Sequence, residues 1–227
     1  MSDLNWLAIG PALILAATVL LLILLEVVVG GRRSLFQLVA CLGALTTVGW
    51  ILGTPVSGQS AFNAMLADDG LTRGFSLVVA LALTLVLAGA EADLEGHDVG
   101  DHRGEYYALM VSAALGMVLM IASTNLVMTF LGLELFSLAL YLLCIFFPRE
   151  NPGQEAGLKY FILSSLASAV MLYGMALLYG ACGSTWLSDL VRPAAQETRF
   201  LQLLGALMMV GGLAFKLSAV PFHMWSP

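Results

Sequence analysis

Two charged residues stand inside apolar stretches of this sequence, where a charge is costly. Lys216 lies in one apolar run, five residues before Pro221, and Glu134 lies in another. A lysine near the middle of a bilayer costs about 2.5–3.5 kcal/mol on insertion scales, so an intramembrane charge is a candidate functional site. The alternative for Lys216 is a side chain that extends to the lipid headgroups beside a structural proline kink.

Pro221 predicts a break in the helix that carries Lys216. Proline has no N–H, and its ring clashes with the carbonyl four residues earlier, so the carbonyl of Leu217 loses its helical partner. A helix broken at membrane depth is tolerated only where protein or water lines the gap. His223 follows the proline and could pass protons, because histidine titrates near neutral pH. It could equally bond the carbonyls that the break frees.

Glu134 shares a helical face with two hydroxyl groups. Ser137 and Tyr141 follow it at i+3 and i+7, which predicts a narrow polar stripe that does not face lipid. Burial favours the protonated form of an isolated carboxylate, whereas a nearby lysine holds it charged. This is the physical basis of a proton relay. The alternative is a structural Glu–Lys pair that joins two helices.

Lys159 begins a further apolar run. From its position alone it is most simply an interfacial lysine whose ammonium group reaches the headgroups. Ser164 and Ser168 follow it as small residues at i, i+4, a spacing that predicts close helix packing, although they could also hold water.

The composition is that of a membrane protein with several spans. Of 227 residues, 60% are hydrophobic and 11% charged, and the mean hydropathy of +0.94 excludes a soluble domain with a solvated surface. The formal net charge is −6, and no basic patch indicates a nucleic-acid partner. Cys41, Cys144 and Cys182 have no metal-ligand spacing, and no GxGxxG or Walker A motif is present. We therefore expect no metal or cofactor in this chain.

Seven apolar runs are long enough, or nearly so, to cross about 30 Å of hydrocarbon. They are residues 6–29, 35–52, 75–90, 107–122, 126–147, 160–181 and 200–225. The first is too long for a cleavable signal, so we expect it to remain as a span. Arg32 and Arg33 after it predict that the N-terminus lies outside. The predicted fold class is an all-α polytopic membrane protein whose seventh helix is broken.

Three segments resemble the proton-translocating, antiporter-like membrane subunits of respiratory complex I, most closely the subunit N branch of bacterial NADH–quinone oxidoreductases. They are 129–141 (TFLGLELFSLALY), 155–166 (EAGLKYFILSSL) and 211–225 (GGLAFKLSAVPFHMW). The resemblance covers the chain from about residue 106 onward. That family has two inverted five-helix repeats, each with a broken helix, preceded by three extra helices. The resemblance thus implies three N-terminal transmembrane helices in residues 1–105 and an incomplete first repeat in 106–227.

The resemblance also implies proton-translocation roles for four residues. Glu134 corresponds to the glutamate of the family's fifth helix, Lys159 to the lysine of the sixth, and Lys216 to the central lysine of the broken seventh. His223 is carried over as a further residue of the pathway. In the implied cycle Lys216 shares its charge with Glu134, and separation of the pair lets a proton move on.

The function that the resemblance implies is that of a translocase subunit in the bacterial inner membrane. Proton translocation would be coupled to electron transfer from NADH to quinone, and the NADH, FMN, iron–sulfur clusters and quinone are expected in partner subunits. Family members have about fourteen helices, so we expect this chain to be the N-terminal half of such a subunit, as a fragment or a truncated product. The alternatives are a subunit of a multi-chain sodium/proton antiporter and a non-conducting structural fragment.

Overall fold

The structure, a computed structural model, describes residues 5–29, 33–58, 60–95, 102–146 and 151–222. Across these ranges the chain forms eight helices and one two-stranded hairpin. The helices are α1 (Trp6–Val29), α2 (Arg33–Gly53), α3 (Gly70–Glu95), α4 (Arg103–Ala122), α5 (Leu126–Cys144), α6 (Asn151–Cys182), α7 (Leu187–Leu190) and α8 (Arg199–Lys216); the strands are β1 (Ser60–Ala61) and β2 (Leu66–Ala67). All the helices except α7 are long and apolar enough to cross a membrane. The predicted all-α polytopic architecture is confirmed.

The predicted spans differ from the helices mainly at their ends. α1 has the predicted bounds, whereas α3 extends beyond the predicted run 75–90 in both directions. α6 begins at Asn151, well before the predicted run 160–181. Hydropathy marks only the part of a helix in hydrocarbon, while the helix itself continues into the headgroup region, where charged residues are tolerated.

The first four helices share one apolar core. Its fully buried side chains include Leu15 of α1, Phe36 of α2, Leu87 of α3, and Tyr107 and Val111 of α4, each at most 1% exposed. Burial of large side chains from all four helices in one cluster holds α1, α2 and α3 against α4.

Glycines allow close backbone contact in two helix pairs. A Cβ added to Gly116 of α4 would lie 2.6 Å from the carbonyl oxygen of Gly132 on α5, and the reverse distance is 2.8 Å. Gly174 of α6 and Gly205 of α8 face each other in the same way, at 2.8 Å in both directions. Larger side chains at these positions would push the helices apart. α5 therefore packs closely on α4, and α8 on α6.

Backbone pairing connects the loops on the side of the membrane where α1 begins, here called the N-terminal face. β1 pairs with β2 antiparallel. Leu66 of β2 then bridges Ser123 after α4, and Asn125 bridges Trp186 before α7. These pairings, which hydropathy did not predict, satisfy loop backbone groups and join the first helices to α5 and α6. The other side of the membrane is called the opposite face.

Candidate functional site

Glu134 of α5 and Lys216 of α8 form an ion pair inside the helical bundle. The Lys216 Nζ lies 2.7 Å from Glu134 Oε1. The lysine side chain is 8% exposed and the glutamate side chain 23%. A charge-assisted hydrogen bond at this distance compensates part of the cost of holding two charges away from water. The two charges that the sequence singled out are therefore partners.

α8 places Lys216 at its C-terminal end. The chain leaves the helix at Leu217, whose N–H donates to the carbonyl of Leu213 at 2.9 Å. The helix thus ends before Pro221, and the break predicted in the run 200–225 is confirmed. A cation in the last turn is stabilised by the helix dipole, by about 0.3–1 kcal/mol at exposed sites. The break therefore provides a favourable position for the Lys216 charge.

Two buried serines complete the first set of contacts around the pair. Ser137, one turn after Glu134 on α5, accepts a hydrogen bond from Lys216 Nζ at 3.1 Å and donates to the carbonyl of Leu133 at 2.8 Å. Ser168 of α6 donates to Glu134 Oε1 at 2.5 Å. Three helices, α5, α6 and α8, therefore contribute polar groups to one site.

Tyr141 continues the polar stripe along α5 toward the opposite face. Its hydroxyl donates to Ser164 Oγ on α6. The ring meets that of Tyr160 edge-on, with 4.5 Å between the ring centroids. Tyr141 is 4% exposed and Ser164 1%. Ser137 is likewise 3% exposed, so the predicted stripe faces protein and not lipid.

The sequence interpretation of Ser164 and Ser168 as packing residues was incomplete. Both are buried as packing requires, yet Ser164 bonds Tyr141 and Ser168 bonds Glu134. The spacing held the missing signal. Two serines at i, i+4 place both hydroxyls on one face of α6, and their separation matches the polar stripe on α5 that they meet.

Lys159 lies away from these contacts. It is in the third turn of α6, where its ammonium group pairs with Glu155 one turn earlier, and the two side chains are 67% and 68% exposed. An exposed i, i+4 pair of this kind contributes little to helix stability, because water screens both charges. Its predicted pathway role stays a prediction. His223 lies outside the described residues.

The chemistry available at the site is proton exchange. Serine and tyrosine hydroxyls can donate and accept at once, so each can pass a proton along. A buried lysine can lose its proton, whereas an arginine remains charged. Among the residues described by the structure, no group of three or more His, Cys, Asp or Glu side chains is placed to hold a metal ion.

A second buried polar cluster lies near the opposite face, between α3 and α4. The Glu91 carboxylate accepts hydrogen bonds from the guanidinium group of Arg103 and, at 2.9 Å, from the hydroxyl of Tyr107. Both residues lie outside the predicted apolar runs 75–90 and 107–122, yet Glu91 lies in α3 and Arg103 begins α4. Mutual neutralisation of the two charges allows both helices to extend there.

The fold and the Glu–Lys pair at a helix break define an antiporter-like membrane segment. Residues 123–227 match the family model described as NADH:quinone oxidoreductase/Mrp antiporter, TM. Over nearly its whole length the chain is similar to subunit N of NADH-quinone oxidoreductases, so the resemblance is confirmed.

The relatives in question are about twice as long as this chain. It is 40% identical to NADH-quinone oxidoreductase subunit N of Rhodospirillum rubrum, with 97% of this chain and 47% of that protein covered. It is 37% identical to subunit N 1 of Chloroherpeton thalassium, with 98% and 46% covered. The chain therefore spans about half the length of the curated relatives it matches.

Solved structures give the same picture of the fold. A chain of respiratory complex I from Thermus thermophilus, determined with bound aureothin, has a TM-score of 0.78 at 33% identity, covering 96% of this chain and 46% of that one. A chain of an archaeal membrane-bound sulfane sulfur reductase has a TM-score of 0.82 at 20% identity, covering 98% of this chain and 47% of that one. A chain of the Mrp complex from Dietzia sp. DQ12-45-1b has a TM-score of 0.73 at 22% identity, covering 98% of this chain and 43% of that one. The last two show a shared fold. The chain is an integral multi-pass membrane protein with the N-terminal half of an antiporter-like fold.

Proposed function

We propose that this chain is the N-terminal half of a subunit N-like, proton-translocating membrane subunit of an NADH–quinone oxidoreductase in the bacterial inner membrane. The buried pair of Glu134 and Lys216 is the observation that carries this proposal. Its two charges come from separate helices, and one of them stands at a helix end. Residues 1–105 then form the three extra helices, and 106–227 the incomplete first repeat.

The redox chemistry belongs to other subunits in this proposal. NADH, FMN, iron–sulfur clusters and quinone are bound by the membrane and peripheral partners, which transfer electrons from NADH to quinone. The present chain supplies a proton-transfer step within the bilayer. Relatives that carry the subunit N name at 40% and 37% identity support this assignment.

The proton step follows from the contacts of the pair. While Glu134 lies beside Lys216, its negative charge stabilises the ammonium form in a site of low dielectric constant. When the side chains separate, the ammonium group loses that compensation and gives its proton to an acceptor. The hydroxyl of Ser137, 3.1 Å from Lys216 Nζ, provides a polar contact for the transfer. Lys159 and His223 are proposed as further residues of the pathway.

A sodium/proton antiporter subunit is the second candidate. The matched family model includes Mrp antiporters, and the Mrp complex has the same fold. The same Glu–Lys pair would serve that function. Exchange of protons for sodium in the absence of NADH would support this candidate over the first.

The assembly part of the proposal is tested by purification of the tagged chain from its own membranes in mild detergent, followed by native mass spectrometry. We expect it to be isolated with subunits that carry NADH-binding and iron–sulfur sites. Isolation of a chain of 24.1 kDa without redox partners would contradict the proposal.

The proton-transfer part is tested by Glu134→Gln in inverted membrane vesicles. We expect NADH-driven proton uptake, followed with a pH-sensitive dye, to fall at least tenfold while the chain remains assembled. Glu105→Gln is the matched control, because it removes an exposed carboxylate of α4 whose side chain is 56% exposed. Normal uptake in Glu134→Gln would exclude the pair as a proton carrier.

A further inference from the structure

Two hydrogen-bond donors from different helices meet at one oxygen of Glu134. Lys216 Nζ of α8 lies 2.7 Å from Glu134 Oε1, and the hydroxyl of Ser168 on α6 donates to the same oxygen at 2.5 Å. Ser168 is 6% exposed, so this contact is made inside the protein. The ammonium group carries a charge, whereas the hydroxyl is neutral. The carboxylate therefore keeps one partner when the charged one moves away.

Ser168 differs from other helical serines of this chain in the direction of its O–H. Ser112 donates to a carbonyl of its own helix at 2.7 Å, and Ser137 and Ser165 do the same at 2.8 and 2.9 Å. Such bonds within one helix are common for serine. Because a hydroxyl has one proton to donate, Ser137 accepts from Lys216 and donates nothing to the glutamate. Of the two serines beside the ion pair, Ser168 is the one that donates to the carboxylate.

Close packing of α6 on α8 places Ser168 beside the lysine. A Cβ added to Gly212 of α8 would lie 3.0 Å from the carbonyl oxygen of Ala167 and 2.9 Å from the Cβ of Met171. These two residues belong to the part of α6 that carries Ser168, and Gly212 lies one turn before Lys216. The absence of a side chain at Gly212 lets the two helices approach each other at this level. Ser168 and Lys216 reach the same oxygen because their helices are in close contact here.

We propose that Ser168 is a positioning residue that keeps Glu134 ionised during the proton-transfer step. The inference rests on the proposed function and adds the reason why the proton leaves the pair. A hydrogen bond to the charged form of a carboxylate favours that form. Because the Ser168 O–H is bound to the oxygen that contacts Lys216, it lowers the basicity of the atom that would otherwise take the lysine's proton.

The Lys216 proton has two acceptors to choose from. In the unproductive transfer, an N–H bond of Lys216 breaks and an O–H bond forms on Glu134, which leaves a neutral amine and a neutral carboxylic acid in place. In the productive transfer the same N–H bond breaks, the proton passes to a neutral base outside the pair, which becomes the cation, and Glu134 keeps its negative charge. Ser168 favours the productive transfer, since its hydrogen bond is stronger to a carboxylate than to a carboxylic acid.

A purely structural role for Ser168 predicts a different pattern among variants. Another hydrogen bond between α5 and α6 lies one turn earlier on α6, where Ser164 accepts from Tyr141. Ser164 is 1% exposed and is therefore buried like Ser168. If Ser168 only joined the two helices, removal of either serine hydroxyl would have the same effect. A positioning role requires the hydroxyl that contacts the carboxylate.

The test compares substitutions of Ser168 in inverted membrane vesicles that carry the assembled complex, with NADH as electron donor. We expect Ser168→Ala to lower the rate of proton uptake per assembled complex at least fivefold. Ser168→Thr keeps the hydroxyl and should restore the rate to within threefold of the wild type. Ser168→Val has the shape of threonine without the hydroxyl, so its rate should stay as low as that of Ser168→Ala. Native mass spectrometry gives the amount of assembled complex for each variant.

Two other serines of α6 serve as controls. Ser164→Ala should keep the rate within twofold of the wild type, because Glu134 retains both partners. Ser165→Ala removes an exposed hydroxyl that bonds its own helix, and it should leave the rate at the wild-type value. Unchanged uptake in Ser168→Ala, equal losses in Ser164→Ala and Ser168→Ala, or equal rates in Ser168→Thr and Ser168→Val would overturn the positioning role.

Infrared spectroscopy of the same vesicles during NADH oxidation reports the protonation of Glu134 directly. A protonated carboxylic acid has a carbonyl stretching band that a carboxylate lacks. We expect this band in the difference spectrum between Ser168→Ala and the double variant Ser168→Ala with Glu134→Gln. The corresponding difference between the wild type and Glu134→Gln should show carboxylate bands instead. A Ser168→Ala spectrum without the acid band would contradict the role of Ser168, whatever the uptake rate.

The outcomes distinguish the role of Ser168 from the proposed function. If Glu134→Gln abolishes uptake while Ser168→Ala leaves it unchanged, the proposed function stands and the positioning role fails. If Glu134→Gln leaves uptake normal, the proposed function fails and the positioning role fails with it.

Discussion

Two buried ion pairs in this molecule are built in different ways. On the N-terminal face, Arg73 binds Asp68 with two parallel hydrogen bonds, Nε to Oδ1 at 2.6 Å and Nη2 to Oδ2 at 3.0 Å. Inside the bundle, Lys216 contacts one oxygen of Glu134 and one hydroxyl. The Asp68–Arg73 pair is bidentate and has a fixed geometry, whereas the Lys216 ammonium group is a single charge at the end of a flexible side chain.

The surroundings of the two pairs differ as well. Asp68 Oδ2 also accepts from the N–H and the Oγ of Ser57, at 2.9 and 2.6 Å, and Arg73 donates to the carbonyl of Thr54. Asn5 then donates to Ser57 Oγ at 3.1 Å, which ties the start of α1 to the loop before α3. Backbone groups take part throughout this network, so its members cannot move independently. The partners of Lys216 are two side chains of α5, Glu134 and Ser137.

The comparison shows how the proposed proton-exchange site differs from the other buried ion pair. Arginine keeps its proton at any physiological pH, and a bidentate pair that is also bound to backbone groups is suited to holding a loop. Lysine can give up its proton, and hydroxyl partners can rotate to follow it. Burial alone does not separate the two cases, because Arg73 is 10% exposed and Lys216 8%.

The largest expected effect comes from placing an arginine beside Glu134, so that the Glu134–Lys216 pair resembles the Asp68–Arg73 pair. Lys216→Arg keeps the positive charge beside Glu134, but the guanidinium group holds its proton. We expect NADH-driven proton uptake in membrane vesicles to be abolished while the complex assembles. Arg73→Lys is the reciprocal variant and should leave uptake within twofold of the wild type. Substantial uptake in Lys216→Arg would mean that the lysine acts only as a fixed charge.

Removal of Arg73 from the Asp68–Arg73 pair should lower the stability of the fold. Arg73→Ala leaves the Asp68 carboxylate buried at 5% exposure without its main partner, and breaking a buried pair costs about 3–5 kcal/mol. We expect a markedly lower unfolding temperature of the purified chain in detergent, measured by differential scanning fluorimetry. Arg192→Ala is the control, because its side chain is 79% exposed. Equal unfolding temperatures for these two variants would contradict a structural role for the Asp68–Arg73 pair.

Overpacking between α6 and α8 should disturb the Glu134–Lys216 pair and leave the Asp68–Arg73 pair unchanged. Gly174→Val would place a side chain where even a Cβ lies 2.8 Å from the carbonyl oxygen of Gly205, and such overpacking costs about 1–3 kcal/mol. We expect lower thermal stability and lower proton uptake, because α8 carries Lys216.

Gly180→Val is the control for that variant. Gly180 lies on the same helix, and an added Cβ there meets no neighbouring heavy atom within 4 Å. Both substitutions introduce the same β-branched side chain into α6, so the difference between them isolates the contact with α8. The prediction is wrong if Gly180→Val and Gly174→Val have the same stability.

How much of this could be predicted from the sequence depends on the range of each interaction. The stripe of Glu134, Ser137 and Tyr141 lies within one helix, so its 3.6-residue period appears in the sequence. Pro221 likewise signals its break locally. The site needs contacts across helices as well. The pairing of Glu134 with Lys216 was suggested by the cost of an unpaired charge in the membrane and by the family resemblance, and by no local pattern.

The missed features are those that require knowledge of helix packing. Ser168 bonds Glu134 only because the face of α6 that carries it turns toward α5. The pairing of Leu66 with Ser123 joins loops that are distant in sequence. Glu91 and Arg103 fall outside the predicted apolar runs because their charges lower the local hydropathy, although their pairing makes them compatible with helices. Neither periodicity nor composition contains this information.

The smallest expected effect is a pH dependence of the free energy of unfolding that arises from the Asp68–Arg73 pair. Burial by itself raises the pKa of the Asp68 carboxyl, but hydrogen bonds from Arg73 and Ser57 outweigh it and hold the pKa below its ordinary value. An unfolded aspartate titrates near pH 4. A carboxylate with a lowered pKa in the folded state therefore stabilises the fold fully above that pH, and this contribution is lost as the pH falls through the folded-state value.

Asp68→Asn removes this contribution at every pH. We expect its unfolding temperature to lie below that of the wild type by a constant amount between pH 5 and 7, and the difference to narrow as the pH falls below about 4. Glu197→Gln removes an exposed carboxylate from the same face and serves as the control. A difference between wild type and Asp68→Asn that stays constant down to pH 3 would mean that the Asp68 charge does not stabilise the fold. The Asp68–Arg73 hydrogen bonds would then hold the loop through their geometry alone. The Asp68–Arg73 and Glu134–Lys216 pairs would then differ in the mobility of their side chains and not in the effect of their charges.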